Sequence, residues 1–255
     1  MYVNIFVASI NPFFESYIQS DLLGKLIFIG LYVLSIGSWS VLIHKIWLTY
    51  RVRKAAARFY EAFQLQKSNP LNLDCDHLGA SMQSPFLDLY KVLKKQSLDL
   101  LAKNRHFGTL QTSNSLQAGE TKVPASACLS LSDIDFVAAH LMTTVSSQVK
   151  NLEKNLYILS TTVSLAPFLG LLGTVWGILT TFSAMQVQGT GPTQLMLGGL
   201  SLALATTVLG LMDAIPALIG YNYLKNTIRD FSTDMEGFSN EILACLELQY
   251  RKVDA

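Results

Sequence analysis

The stretch from Asn155 to Leu224 contains 70 residues and one charged side chain, Asp213. A short polar segment at residues 186–194 divides it into two apolar segments. Water cannot bind backbone polar groups inside hydrocarbon, so such a segment must be helical, and a helix crosses the apolar layer in about 20 residues. The pattern therefore predicts two membrane-spanning helices joined by a turn.

A third apolar segment, Leu26–Ile43, lies near the amino terminus between Lys25 and His44. Residues 1–21 contain no basic residue, unlike the start of a cleavable signal peptide, so we expect them to remain in the mature chain. The sequence thus predicts an all-α integral membrane protein with three spans. The predicted spans are residues 22–44, 155–185 and 195–223.

Five basic residues directly follow span one, and basic loops stay on the cytoplasmic side of a membrane. They are Lys45, Arg51, Arg53, Lys54 and Arg58. The outward turn at 186–194 contains no Lys or Arg. We therefore expect the amino-terminal segment 1–21 to lie outside, and the loop 45–154 and the carboxyl-terminal segment 224–255 to lie in the cytoplasm.

The loop 45–154 is too long for a simple linker, and its pattern predicts mostly helix. A basic helix is expected to extend span one to about residue 67, before the breaker Ser68-Asn69-Pro70. Ser84 and Pro85 resemble an N-cap and a first-turn proline, which predicts a helix to about Lys103. Residues 104–127 are rich in small polar side chains, which predicts a soft segment.

Ser132 followed by two acids predicts another helix start, and no breaker appears before Pro167. We therefore expect a long helix that runs continuously from the loop into span two. Span three is likewise expected to continue into a helix at 224–255, where apolar residues recur every three or four positions. This stripe is either the buried face of a helix within one subunit or a subunit interface. Its members are Leu224, Ile228, Phe231, Met235, Phe238, Ile242 and Cys245.

Other functional classes lack support in the sequence. The net charge of +1 gives no electrostatic argument for nucleic acid. Three Cys and four His are scattered without the spacing of a metal site, and no nucleotide-binding glycine loop occurs. No catalytic triad or pair of carboxylates can be assembled from the motifs. We therefore predict no metal, no cofactor, no nucleic-acid partner and no enzymatic activity.

The few polar residues within the spans are the first candidates for function, because each polar group in hydrocarbon is costly. Thr174, Thr206, Thr207 and Asp213 lie beside small residues that suit close helix packing. We expect six residues to set helix contacts and kinks in spans two and three. They are Pro167, Gly170, Gly173, Gly177, Gly210 and Pro216.

The segment Pro167–Gly177, PFLGLLGTVWG, closely resembles the TolQ/ExbB family of proton-channel proteins, within the MotA/TolQ/ExbB superfamily. Span three continues the resemblance with Gly210-Leu211, with AIPA at 214–217 and with Tyr221-Asn222. The likeness covers residues 155–224 in detail and the whole chain in the order of its spans. It does not extend to the sequence of the cytoplasmic loop.

The resemblance implies a multi-pass subunit of a motor in the bacterial inner membrane, driven by the proton motive force. It implies a homo-pentamer around a TolR/ExbD-like single-span partner that carries a transmembrane Asp, with a TolA/TonB-like protein as a further partner. In that family a Thr in GTVWG and a Thr in span three line the proton path, which correspond to Thr174 and Thr207 here. Alternatively, each hydroxyl bonds to its own helix backbone.

One position departs from the family pattern. The family has a Glu in span three where this chain has Leu202, and this chain has Asp213 where the family has a small apolar residue. Eleven residues are close to three helical turns, so the acid lies on nearly the same face. Asp213 is thus expected either to serve in the proton exit or to pair with a partner. A packing contact by a protonated Asp213 is the other interpretation.

Two other functions remain open from the residues. A flagellar stator subunit belongs to the same superfamily but has four spans, whereas this chain has three predicted ones. A passive membrane scaffold or permease component could use the same polar residues to bind a solute. Neither the Tol or Exb role nor the coupling ion follows from these residues.

Overall fold

A computed structural model describes residues 17, 21–65, 71, 84–116, 128–188 and 193–251 of the chain. This part of the chain is helical, apart from one isolated bridge between Leu129 and Arg251, which confirms the all-α class. Helices α1, α4 and α5 are each long and apolar enough to cross a membrane. The five helices are α1 (Leu22–Leu65), α2 (Pro85–Leu116), α3 (Leu131–Glu153), α4 (Leu156–Gln188) and α5 (Thr193–Tyr250).

The chain folds into two compact units. Unit one comprises Met1–Ile46 and Lys154–Lys225, and unit two comprises Trp47–Glu153 and Asn226–Ala255. Helices α1 and α5 each contribute one part to unit one and the other part to unit two. The three apolar spans thus belong to unit one, and the basic loop belongs to unit two.

The core of unit one is small and joins all three spans. Ile27 and Leu31 of α1 pack with Ala166 of α4 and Ala214 of α5. At the start of α1 the carboxylate of Asp21 accepts a hydrogen bond from the backbone N–H of Gly24, at 3.1 Å, which caps the helix. Large apolar side chains elsewhere on the spans are exposed, as a surface that faces lipid requires.

In unit two, α2 and α3 form an antiparallel pair. Gln148, near the end of α3, donates to Asp88 in the first turn of α2, at 3.0 Å. Asn104 of α2 donates to Asp133 at the start of α3, at 2.9 Å. These two bonds tie opposite ends of the helices and fix their register.

Aromatic rings form the core of unit two. Phe238 of α5 stacks on Phe86 of α2 with ring centroids 4.5 Å apart, and meets Phe63 of α1 edge-on at 5.4 Å. Phe59 and Tyr90 complete the cluster. The apolar stripe of α5 is buried within this one chain from Ile228 to Cys245, which favours the buried face over the subunit interface.

The prediction of an unbroken helix from the loop into span two is wrong. Helix α3 ends at Glu153 and α4 begins at Leu156, and Asn155 between them has a φ of 68°. A residue in the left-handed region cannot continue an α-helix, and Asn is one of the few residues that adopt it readily. The Asn155 carbonyl then accepts from the N–H of Ile158, at 3.2 Å, so one residue ends α3 and opens α4.

Two smaller predictions also need correction. Helix α3 is capped by Ser130 and not by Ser132: the Ser130 hydroxyl accepts from the Asp133 N–H at 3.2 Å, while the Asp133 carboxylate accepts from the Ser130 N–H at 2.9 Å. Helix α2 continues to Leu116, into the predicted soft segment 104–127. Asn104 is one reason, because it bonds to Asp133 and to the Cys128 carbonyl. Residues 117–127 and the predicted breaker at 68–70 lie outside the described residues.

Candidate functional site

Spans two and three pack against each other through small residues that leave no room for a larger side chain. A Cβ atom on Gly210 would lie 2.5 Å from the carbonyl oxygen of Ala166. A Cβ on Gly170 would lie 3.1 Å from the carbonyl of Thr206, and one on Gly177 would lie 3.0 Å from the Cβ of Ala203. The predicted packing glycines of α4 and α5 therefore meet across one antiparallel interface.

Threonines fill the spaces that these glycines leave. Thr206 is 1% exposed and packs directly on Gly173, while its hydroxyl donates to the Ala203 carbonyl at 2.8 Å. Thr181 packs on Gly199 in the same manner and donates to the Gly177 carbonyl at 2.6 Å. Both hydroxyls are thus satisfied by their own helices, which leaves Thr206 a packing residue.

The hydroxyls of Thr174 and Thr207 donate hydrogen bonds to carbonyls in different places relative to their own helices. Thr174 is half-buried and its hydroxyl donates to the Leu171 carbonyl of its own helix, at 2.7 Å. The hydroxyl of Thr207 donates across the interface to the Gly170 carbonyl, at 3.0 Å. Gly170 lies one helical turn before Thr174. The residue of α4 that Thr207 contacts is therefore about 6 Å from Thr174 along the helix axis. Each hydroxyl oxygen keeps its lone pairs as acceptors.

Asp213 lies elsewhere. It is 8% exposed, and its side chain lies beside Ser35 of α1. Six residues separate Asp213 from Thr207, which turns it about 120° away around α5. The structure therefore places Thr207 against the turn of α4 that precedes Thr174, and it places Asp213 at the contact with span one. The side chain of Leu202 is outside the described part of the chain.

Both prolines lie inside continuous helices, Pro167 in α4 and Pro216 in α5. Each removes the backbone donor that would pair with the carbonyl four residues earlier, which loosens the helix locally. Pro167 lies one turn before Leu171, whose carbonyl accepts from Thr174. The proline thus adjoins the turn that carries the candidate threonine.

Sequence reasoning missed three contacts of span one. The indole N–H of Trp176, in the GTVWG motif, donates to the carboxylate of Asp21 at 2.8 Å. Ser35 meets Asp213, and Leu42 packs on Gly220. The available signals were an acid directly before an apolar span and a hydroxyl within it, since each needs a partner in lipid. These signals identify residues that need partners but not the partners themselves.

Within the described residues no group of His, Cys, Asp and Glu has the arrangement of a metal site. The polar groups of unit one described above are hydroxyls, backbone carbonyls, one indole and two carboxylates. Hydroxyls and carboxylates can relay a proton or bind water. Their arrangement suits the passage of a small ion better than the binding of an organic molecule.

Comparison with known proteins gives a consistent result. A family model described as the MotA/TolQ/ExbB proton channel family matches residues 113–237. The biopolymer transport protein ExbB of Aquifex aeolicus is 47% identical over 92 residues, which cover 36% of this chain and 62% of that protein. The Tol-Pal system protein TolQ of Haemophilus influenzae is 33% identical over 105 residues, or 41% of this chain and 46% of that protein.

A third relative, the biopolymer transport protein ExbB of Helicobacter pylori, is 53% identical over 74 residues, or 29% of this chain and 51% of that protein. The matches therefore cover only about half of the length of these relatives. The family match contains Thr174, Thr207 and Asp213 as well as the small residues that pack α4 on α5.

Proposed function

Because the model of the MotA/TolQ/ExbB proton channel family matches residues 113–237 and the chain is similar to proteins named ExbB and TolQ, we propose that it is a member of this family and a subunit of a motor driven by the proton motive force. In this proposal it conducts protons together with a TolR/ExbD-like single-span protein whose transmembrane Asp carries the proton. The motor energises an outer-membrane process or uptake, and the chain acts as a conduit and not as an enzyme.

The observation that carries the proposal is the pairing of Thr174 and Thr207 beside a glycine-packed interface. Thr207 donates to the Gly170 carbonyl of the neighbouring span, and Thr174 lies one turn away. Both oxygens can still accept a hydrogen bond from water or from a protonated carboxyl group. Two adjacent acceptors inside a membrane span suit a proton path that a partner's acid completes.

We propose Asp213 as a separate station of this path, on the side of span one. An ionised carboxylate that faces lipid is costly, and the neighbouring Ser35 gives the buried side chain a polar partner. In this proposal Asp213 takes over the part of the family Glu, which is absent at Leu202. In this role Asp213 exchanges protons with the cytoplasmic side.

The proposed assembly is a homo-pentamer in the bacterial inner membrane. Its amino terminus lies in the periplasm, and its main loop and carboxyl terminus lie in the cytoplasm. The basic residues after span one support this orientation, because positive loops remain cytoplasmic. A TolA/TonB-like protein is the proposed receiver of the work.

The first test is purification of the chain from its native membrane in mild detergent, with mass spectrometry of the intact complexes. We expect a multimer of this chain that holds a single-span protein with an intramembrane Asp. A stable complex without such a protein would contradict the motor and favour a scaffold or permease.

The second test is proton flux through the purified complex in liposomes. Thr174→Val and Thr207→Val keep the side-chain shape but remove the hydroxyl, so we expect each to lower the flux at least about tenfold. Thr161→Val is the matched control, since its exposed hydroxyl bonds only to its own helix, at the Tyr157 carbonyl. Equal flux in all three variants would exclude the threonines from the path. Unchanged flux in Asp213→Asn would exclude Asp213 alone.

A further inference from the structure

One face of α1 changes character directly after the apolar span. Trp47 and Tyr50 are 58% and 68% exposed, and Arg51, Lys54 and Arg58 are exposed as well. These residues are three, four, seven and eleven positions after Trp47, so they form one stripe about 100° wide along the helix. We call these five residues the basic stripe.

The opposite side of the same helix segment is buried. Ala56, Phe59 and Phe63 are each 2% exposed or less, and Phe59 and Phe63 belong to the aromatic core of unit two. The side chains of the basic stripe therefore point away from that core. Their exposure is fixed by the packing of α1 and not by a disordered end.

Two of the three cations of the basic stripe lie over its aromatic rings. The guanidinium of Arg51 lies 5.0 Å from the ring centroid of Trp47, and the ammonium of Lys54 lies 6.0 Å from that of Tyr50. Among the described residues, none of Arg51, Lys54 and Arg58 forms an ion pair with an acid. Glu61, about one turn beyond Arg58, ends the basic run. Three positive charges are thus left for an external anion.

We propose that the basic stripe binds the headgroups of anionic phospholipids at the membrane surface. Trp and Tyr occupy the membrane interface because one part of each side chain is apolar and another is polar. Basic side chains just beyond them meet the negatively charged lipid headgroups. The stripe presents these two elements in that order from the end of the apolar span.

The expected contribution of each cation falls with its distance from the apolar layer. Arg51, Lys54 and Arg58 lie about 6, 10 and 16 Å beyond Trp47 along the helix. The surface potential decays within about 10 Å at moderate salt. Arg51 should therefore contribute most and Arg58 least, which distinguishes a membrane surface from a ligand bound across the whole stripe.

The test uses the full chain in detergent, titrated with phosphatidylglycerol or with phosphatidylcholine of the same acyl chains. Bound lipids are counted by native mass spectrometry. We expect the wild type to prefer phosphatidylglycerol and to lose this preference as salt is raised. Each basic residue close to the surface adds about fivefold in affinity, so Arg51→Gln with Lys54→Gln should cost about 25-fold.

The matched control removes two charges elsewhere in unit two. Lys91→Gln with Lys95→Gln affects exposed residues of α2, and we expect the lipid preference to stay unchanged. Equal loss in this control would overturn the proposal, as would equal binding of both lipids by the wild type. If the stripe variant changed the oligomer mass in the same spectra but not lipid binding, the face would be a contact between copies. If the double variant does not fold, Arg51→Gln alone should still lower the phosphatidylglycerol preference about fivefold, and an unchanged preference in that variant would overturn the proposal.

Discussion

Each of the two units of this chain is stabilised internally by a different kind of packing. Unit two has a core of large rings, with Phe86, Phe63 and Phe59 grouped around Phe238. Unit one has small side chains at its helix contacts, such as Ala166 against Gly210 and Gly170 against Thr206. The difference follows from the surroundings, because burial of a ring away from water is favourable, whereas lipid is as apolar as the ring itself.

Helices that cross a membrane gain stability from close approach and from hydrogen bonds between them. In unit one the glycines allow that approach, Thr207 donates to Gly170 and Trp176 donates to Asp21, and Asp213 lies beside Ser35. These contacts connect all three spans. The helix contacts of unit one thus contain polar groups, whereas those of unit two contain large apolar side chains.

The largest expected effect is in unit two. Phe238→Ala removes a ring that is 2% exposed and touches four other aromatic rings, so it should destabilise unit two by about 3–5 kcal/mol. Thermal unfolding of the purified chain, followed by circular dichroism, measures the loss. Leu248→Ala, on the same helix but 88% exposed, is the control and should change stability by less than about 0.5 kcal/mol. Similar losses in both variants would contradict the aromatic core.

The next effect is in unit one, and here the substitution makes a side chain larger instead of smaller. Gly210→Ala places a methyl group 2.5 Å from the Ala166 carbonyl, and backbone cannot move aside cheaply, so we expect a loss of about 1–3 kcal/mol. The melting temperature in a fixed detergent measures it. Gly37→Ala is the control, because no atom lies within 4 Å of its added methyl group. If Gly37→Ala destabilised the chain as much, close packing of α4 on α5 would not explain the result.

A smaller effect tests the contact between Ser35 of span one and Asp213 of span three. A cycle of Ser35→Ala, Asp213→Asn and the double variant should give a coupling of about 0.6 kcal/mol, and at most about 1.7 kcal/mol, which is the range for polar contacts between membrane helices. Reversible unfolding in mixed micelles gives the four free energies. The same cycle with Ser40→Ala, an exposed serine of the same span, should give no coupling. A coupling of equal size with Ser40 would mean that Ser35 is not the partner of Asp213.

The smallest effect concerns the start of α3. Partial burial raises the pKa of Asp133, but hydrogen bonds from Ser130 and Asn104 and the charge of Lys103 outweigh it, so the pKa lies below its usual value. A lowered folded-state pKa contributes stability above the unfolded value, near 4, which is lost as the pH falls through the folded value. Asp133→Asn should therefore flatten the fall in stability below about pH 4, by about 1 kcal/mol or less.

Denaturant unfolding of the full chain at pH 3 to 6 measures that slope. Asp135→Asn removes an exposed acid of the same first turn and serves as the control. We expect its pH profile to follow the wild type. A flattened profile in this variant instead would mean that charge near the helix start matters and the capping bonds do not.

The fold could be predicted from the sequence wherever a pattern repeats over many residues. The three apolar helices and the continuation of span three through Tyr250 follow from hydropathy and from an apolar period of three to four. The interruption at Asn155 could not, because a single left-handed residue leaves no periodic signal. The shift of the cap from Ser132 to Ser130 has a similar cause, since both serines carry the same local chemistry.

Motifs in the sequence name candidate site residues, but the arrangement of these residues in space could not be predicted. The motifs identify Thr174, Thr207 and Asp213, and the structure then separates Asp213 from the two threonines. Counting helical turns places Asp213 on nearly the same face of α5 as Leu202, but it says nothing about other helices. The neighbour of Asp213 is Ser35 of α1, which is far away in sequence. Contacts between distant spans depend on how three helices meet, which one helical period cannot determine.

The break at Asn155 has a consequence for the two helices that it separates. Helix α3 ends at Glu153 and α4 begins at Leu156, so the ladder of backbone hydrogen bonds in α3 does not continue into α4. Fraying at the end of a helix spreads along such a ladder and stops where the ladder is interrupted. Loss of the last turn of α3 therefore need not shorten α4, the helix that carries Thr174.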